Sequence, residues 1–202
     1  MPPRLAMTSQ DADPAGSTVT THRSRLLEEC HRLIDLYVHV KATQSTEYNI
    51  ECAYDAVVIR TAREVEKRHV AQFDEMCSKL NITQSGAYST FQSVCQELFS
   101  TGINWGRVSG FFAFGGALAE ACIEKRVPNA IKQVSHWMKS FLEGSLLEWI
   151  ESKGGWEGFE QHFSTKTQPS QFTSGCMTSS SMKKMLAVGL GFGTLLLMVS
   201  VK

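Results

Sequence analysis

Along most of this chain the apolar residues recur at steps of three and four, the spacing that places them on one face of a helix. Leu26, Leu27, Cys30, Leu33, Ile34, Tyr37 and Val38 predict a first helix from about His22 to about Lys41. A polar linker over 42–49 follows, and then Tyr54, Val58, Ala62, Val65 and His69 mark a second stripe. Phe73, Met76, Cys77 and Leu80 continue the helical spacing until the turn-forming residues 81–86 interrupt it. Tyr88, Phe91, Val94, Cys95, Leu98 and Phe99 form the next amphipathic helix, closed by Thr101 and Gly102, where glycine suits a left-handed helix end.

Asn104 is a good N-cap for the segment that follows, Trp105 to Ala119, which is apolar nearly all round. Such a helix has to be enclosed on every side, which predicts a position at the centre of a bundle. Gly110, Gly115 and Gly116 each cost about 1 kcal/mol of helix propensity, a loss that close approach of neighbouring helices would explain. Pro128 is expected to open another helix, with Ile131, Val134, Trp137, Met138, Phe141 and Leu142 on its buried side. A short helix through Leu146, Leu147, Trp149 and Ile150 should stop at Gly154 and Gly155, and residues 156–163 should add a final turn or two. No alternating strand pattern occurs, so the fold class is all-α.

This pattern divides the chain into a polar leader at 1–21 read as disordered, a helical domain at 22–163, a Ser/Thr/Gln-rich tether at 164–181 and a terminal segment at 182–202. Residues 185–201 carry no charge and are flanked by Lys183, Lys184 and Lys202. That length lies near the lower limit for a bilayer-spanning helix, and the lysine bias leaves the main domain on the cytosolic side. The segment is therefore expected to be a transmembrane tail anchor.

Composition narrows the functional classes. Twenty basic and twenty acidic residues cancel among the 202, and without a positive excess there is no electrostatic footprint for nucleic acid. The six cysteines, at positions 30, 52, 77, 95, 122 and 176, show no zinc spacing and read as small buried hydrophobes in a reducing compartment. No Gly-rich phosphate loop, His-Glu-x-x-His or Gly-x-Ser-x-Gly is present, so an enzyme is not expected and neither metal nor cofactor is implied. Trp105, Trp149 and Trp156 read as packing anchors.

The residue that stands out is Arg107. With Asn104 as cap it occupies the third helical position, where the dipole is positive and a Glu or Gln would be favourable. Either it is a solvated surface arginine, losing about 0.3 to 1 kcal/mol to the dipole, or it awaits a partner's carboxylate, having no mate in its own chain.

The run Glu97-Leu-Phe-Ser-Thr-Gly-Ile-Asn-Trp-Gly-Arg-Val-Ser-Gly-Phe-Phe-Ala-Phe-Gly-Gly-Ala-Leu-Ala119 resembles the first homology region of the B-cell lymphoma two (Bcl) family of apoptosis regulators. Trp149-Ile-Glu-Ser-Lys-Gly-Gly-Trp-Glu-Gly-Phe159 resembles the second. The resemblance runs from about Tyr54 to Phe163. It implies a bundle of about eight helices around a central apolar hairpin, here 104–124 and 128–147, plus a C-terminal transmembrane helix. It also implies a groove that receives the third homology region of pro-apoptotic members, whether Bak-like, Bax-like or single-region proteins. By that resemblance Arg107 would pair with the partner's Asp, Asn104 would hydrogen-bond beside it, and Gly106 would admit the partner's backbone. Val65, His69, Phe73, Met76, Val94, Glu97, Leu98, Phe114 and Ala117 would line the groove. The implied location is the cytosolic face of the mitochondrial outer membrane, with the endoplasmic reticulum as the other option.

The third-region pattern of the family, Leu-x-x-x-Gly-Asp, is replaced here by Val58-Ile-Arg-Thr-Ala62-Arg63. Placed in a groove like its own, Arg63 would face Arg107, a repulsion of about 4 kcal/mol at about 4 Å in an intermediate dielectric. That favours a pro-survival receptor. The alternative is a Bak-like effector that oligomerises and permeabilises the outer membrane, since 101–107 also resembles Bak.

Overall fold

The computed structural model describes residues 14–45, 48–79, 87–127, 129–164, 183–185 and 187. Eight helices follow in order: α1 Pro14–Thr43, α2 Ala53–Arg68, α3 Val70–Lys79, α4 Ala87–Phe99, α5 Trp105–Glu124, α6 Ala130–Ser145, α7 Leu147–Ser152 and α8 Gly155–Ser164. Among the described residues there is no strand.

Helix α5 is the axis of the bundle, packed against α1, α2, α3, α4 and α6. Its side chains explain this placement: Val108, Phe111, Phe112, Ala113, Phe114, Leu118 and Ala119 are wholly buried. Each buried Phe or Leu contributes about 1.5 to 3 kcal/mol relative to exposure, so an all-round apolar helix is stable only where neighbours cover every face. The expected crowding at glycine is also present. A Cβ on Gly116 would lie 2.6 Å from Tyr37 Cε1 and 2.9 Å from Lys41 Cγ of α1, and one on Gly115 would collide with the Met138 side chain of α6.

Two boundaries differ from the sequence reading. Helix α1 begins at Pro14, not near His22, which shortens the expected leader. Proline fits a first turn, where its missing N–H would have had no helical acceptor. Helix α6 begins at Ala130 rather than at Pro128, because Asn129 takes a left-handed conformation, φ 56°, that breaks the helix just before it. The expected leader residues 1–13, the interruption at 81–86, Pro128, the tether over 165–181 and most of the expected anchor lie outside the described residues. No helix among the described residues is long and apolar enough to cross a membrane. The first apolar residue of the expected anchor, Met185, is fully buried against the domain core.

An aromatic cluster closes the end of the bundle where α5 starts. Trp105 meets Trp149 edge-on at 4.6 Å and Phe159 at 5.3 Å, while Trp156 meets Phe112 at 5.8 Å. The tryptophans thus tie α5, α7 and α8 together, as packing anchors do. This fixes the position of the α5 N-terminus, and with it Arg107.

The five described cysteines are all free thiols. Burial pushes Cys77 up to about 12 and Cys122 up to about 11, so both stay protonated at neutral pH.

Candidate helix-binding groove

The α5 N-terminus is built from its cap outward. Asn104 has extended backbone, φ −152° and ψ 163°, and its Oδ1 accepts the Arg107 N–H at 2.9 Å. The cap uses the amide oxygen and leaves the Asn104 NH2 group as a donor. Gly102, with φ 106°, makes the turn out of α4. Only the five residues 100–104 connect α4 to α5.

Arg107 does have mates in its own chain, contrary to the expectation. Its Nη1 donates to the Gly102 carbonyl and its Nη2 to the Thr101 hydroxyl. From the first turn of α5 the long side chain folds back over the loop that precedes it. Both acceptors are neutral, however, and among the described residues no carboxylate lies within 4.0 Å of the guanidinium. The charge is hydrogen-bonded but not neutralised. Arg107 as a residue is half-buried.

The apolar positions assigned to the groove fall on four helices. Val65 lies on α2, Phe73 and Met76 on α3, Val94 and Leu98 on α4, and Phe114 on α5. None is more than 3% exposed. Among the described residues they belong to the continuous core. Apolar side chains gain by leaving water, and these do so within the core around α5. Ala117 and Glu97 are half-buried, and Gly106 is buried beside the cap. His69 does not extend the second stripe as expected: it is the C-cap of α2, its N–H donating to Glu66 O, and it forms the joint between α2 and α3.

Helices α3 and α4 both pack on α5 rather than chiefly on one another. Both helices therefore rest on α5, with Phe73 and Met76 buried on α3 and Val94 and Leu98 buried on α4. Exposed Val70 and Tyr88, at 54% and 38%, stand in the first turns of α3 and α4.

The third-region-like segment is held differently. Thr61, at the position of an apolar anchor, is buried and satisfied: its hydroxyl donates to Val58 O at 3.1 Å and accepts from the Ser109 hydroxyl of α5 at 3.1 Å. Arg63 points toward the α1–α2 connection, over the Tyr48 ring at 5.7 Å and bonded to Ser45 O. These polar pairings were not foreseen, nor was the role of Thr101 and Gly102. A hydroxyl six residues before an arginine carries no signal until the turn between them is known.

Comparison with known proteins agrees with this geometry. Residues 58–156 match the family described as apoptosis regulator proteins, Bcl-2 family. The chain is 36% identical over 108 residues to apoptosis regulator R1 of Xenopus laevis, covering 54% of this chain and 47% of that protein. It is 40% identical over 96 residues to Bcl-2-like protein 1 of Homo sapiens, covering 48% of this chain and 41% of that protein. The chain thus spans about half the length of the curated relatives it matches. Among solved structures, Trichoplax adhaerens trBcl-2L2 bound to trBak BH3 superposes with a TM-score of 0.57 at 28% identity, over 66% of this chain and 99% of that one. At residues 58–156, around the buried helix α5 and its capped N-terminus, this chain carries a domain of the Bcl-2 family of apoptosis regulators.

Proposed function

We propose that this protein restrains apoptosis by binding the third-homology-region helix of pro-apoptotic relatives along the seam between α3 and α4. The observation that carries the reading is the Arg107 guanidinium, which has only neutral acceptors among the described residues. A partner carboxylate would replace a carbonyl and a hydroxyl with a bidentate charged pair, roughly twice as strong per hydrogen bond. Asn104 would offer its amide NH2 beside it, and Gly106 would leave room for the partner's backbone.

Apolar anchors of the incoming helix would displace the packed side chains of α3 and α4. Phe73, Met76, Val94 and Leu98 would then exchange part of their core contacts for contacts with the ligand. No catalytic step is involved: the protein acts as a binding module. The Bak-bound structural relative supports a Bak-like helix as the ligand class.

The pro-survival reading rests on α2. Its Arg63 stands where a ligand helix would present an acid, and removing α2 from the bundle would strip the buried Thr61 hydroxyl of its partners. A pore-forming effector needs that segment released, and here release is disfavoured twice. We place the domain on the cytosolic face of the mitochondrial outer membrane, tethered by 185–201.

Titration of the purified chain with a synthetic Bak BH3 helix tests the binding reading. Saturable binding that weakens by about 2 to 5 kcal/mol in Arg107→Glu is expected, the scale for truncating a buried charge pair. Equal affinity in the mutant rejects the groove. Dye release from liposomes of mitochondrial lipid composition on adding the same helix would instead establish the effector role.

A further inference from the structure

We propose that Thr101 is a phosphorylation site whose phosphate is gripped by Arg107, closing the acid-binding end of the groove; the regulatory half of this proposal rests on the helix-binding reading above. The hydroxyl of Thr101 is already the acceptor of Arg107 Nη2, and the neighbouring Gly102 carbonyl takes Nη1. Thr101 is nonetheless exposed, in the short turn between α4 and α5, with Ser100 and Gly102 exposed on either side. One atom is therefore both open to an enzyme and within hydrogen-bond reach of the guanidinium.

The step balances simply. A protein kinase transfers the γ-phosphoryl group of ATP to Thr101 Oγ1, the bond to the ADP oxygen breaks as the new P–O bond forms, and the hydroxyl proton passes to the kinase's base. The product carries roughly −1.5 to −2 charge at neutral pH and three strong acceptor oxygens. Those oxygens stand beside a guanidinium that no carboxylate neutralises among the described residues, at the N-terminal end of a 20-residue helix whose dipole also favours an anion. Phosphate and partner carboxylate would then compete for one fork, and like charge would repel the partner's acid.

The test uses the full chain with phosphothreonine installed at Thr101 during translation. In ³¹P NMR titration, the second ionisation of the phosphate is expected at lower pH than in the same phosphoprotein carrying Arg107→Gln, by about half a unit or more. Coincident titration curves would overturn the pairing. Affinity for the Bak BH3 helix is expected to fall by about tenfold or more relative to the unmodified chain, and an unchanged affinity would overturn the regulatory role. If the groove reading itself is wrong, the unmodified chain fails to bind the helix while the ³¹P shift persists, so the two failures are distinguishable. Finally, incubation with ATP and a panel of purified serine/threonine kinases should place phosphate on Thr101 by tandem mass spectrometry, with the signal lost in Thr101→Ala. Phosphate confined to Ser100 or absent throughout would overturn Thr101 as the modified residue.

Discussion

Two flanks of helix α5 are held in opposite ways. On the α1–α2 side, charge meets charge: Arg32 grips Asp55 with two hydrogen bonds of 2.9 and 2.7 Å, and Lys41 bridges Glu66 at 2.8 Å and Glu120 at 2.7 Å. Tyr37 donates a further bond to Glu66 at 2.9 Å, so α1, α2 and α5 share one polar network. On the α3–α4 side the packing is mostly apolar, and the cations described there meet neutral oxygens: Arg107 those of its own loop and Lys125 the Cys77 carbonyl of α3 at 3.1 Å. Hydrogen-bonded ion pairs are directional and lose much when parted, whereas apolar contacts can be traded for those of a ligand at small cost. On the proposed reading the first flank stays shut and the second opens for the ligand.

The largest expected effect breaks the contrast on the open side: Arg107→Glu should lower helix affinity by about 2 to 5 kcal/mol in a binding titration while barely moving the unfolding midpoint. Next comes the shut side. Asp55→Ala leaves Arg32 facing a hole where a wholly buried carboxylate stood, and chemical denaturation should record a loss of about 3 kcal/mol. Gly116→Ala, which forces a Cβ against Tyr37 and Lys41, should cost about 1 kcal/mol net, overpacking outweighing the gain in helix propensity. A thermal melt would show it.

The smallest effect is a pH dependence. Burial alone would raise the Asp55 carboxyl, but Arg32 and the amides of Cys52 and Glu51 outweigh it and hold it below its ordinary 3.8. Its stabilising contribution is therefore complete above that value and fades as pH falls through the lower folded-state one. Glu66 has the opposite sign, since burial raises it above 4.5 despite Lys41 and Tyr37, so its share fades as pH rises through that raised value. Denaturation midpoints measured from pH 3 to 6 should flatten at the acid end in Asp55→Asn but not in Glu66→Gln. A common response of both mutants would dissolve the distinction.

Much of this was readable from residue order alone. The periodic stripes from Leu26 to Phe163, the cap at Asn104, the enclosed helix at Trp105 and the close approach at Gly115 and Gly116 follow from local spacing, because a helix face is defined by its own neighbours at three and four. The placing of Arg107 at a helix N-terminus was equally local. What surrounds that guanidinium was not: Thr101 and Gly102 reach it only because the loop folds back, a property of the turn between two packed helices. The pairing of Thr61 with Ser109, 48 residues apart, and of Arg32 with Asp55 likewise exists only once α1, α2 and α5 are side by side.

Nor could periodicity tell a groove wall from a core position, since Phe73, Met76, Val94 and Leu98 present the same apolar stripe in either role. Residue order alone determined which helices form and which face of each must be buried, for hydrophobic spacing acts within a single helix. Tertiary structure decided what each face is buried against, because polar pairing and burial depend on which segments, distant in the chain, come to lie within a few ångströms of each other.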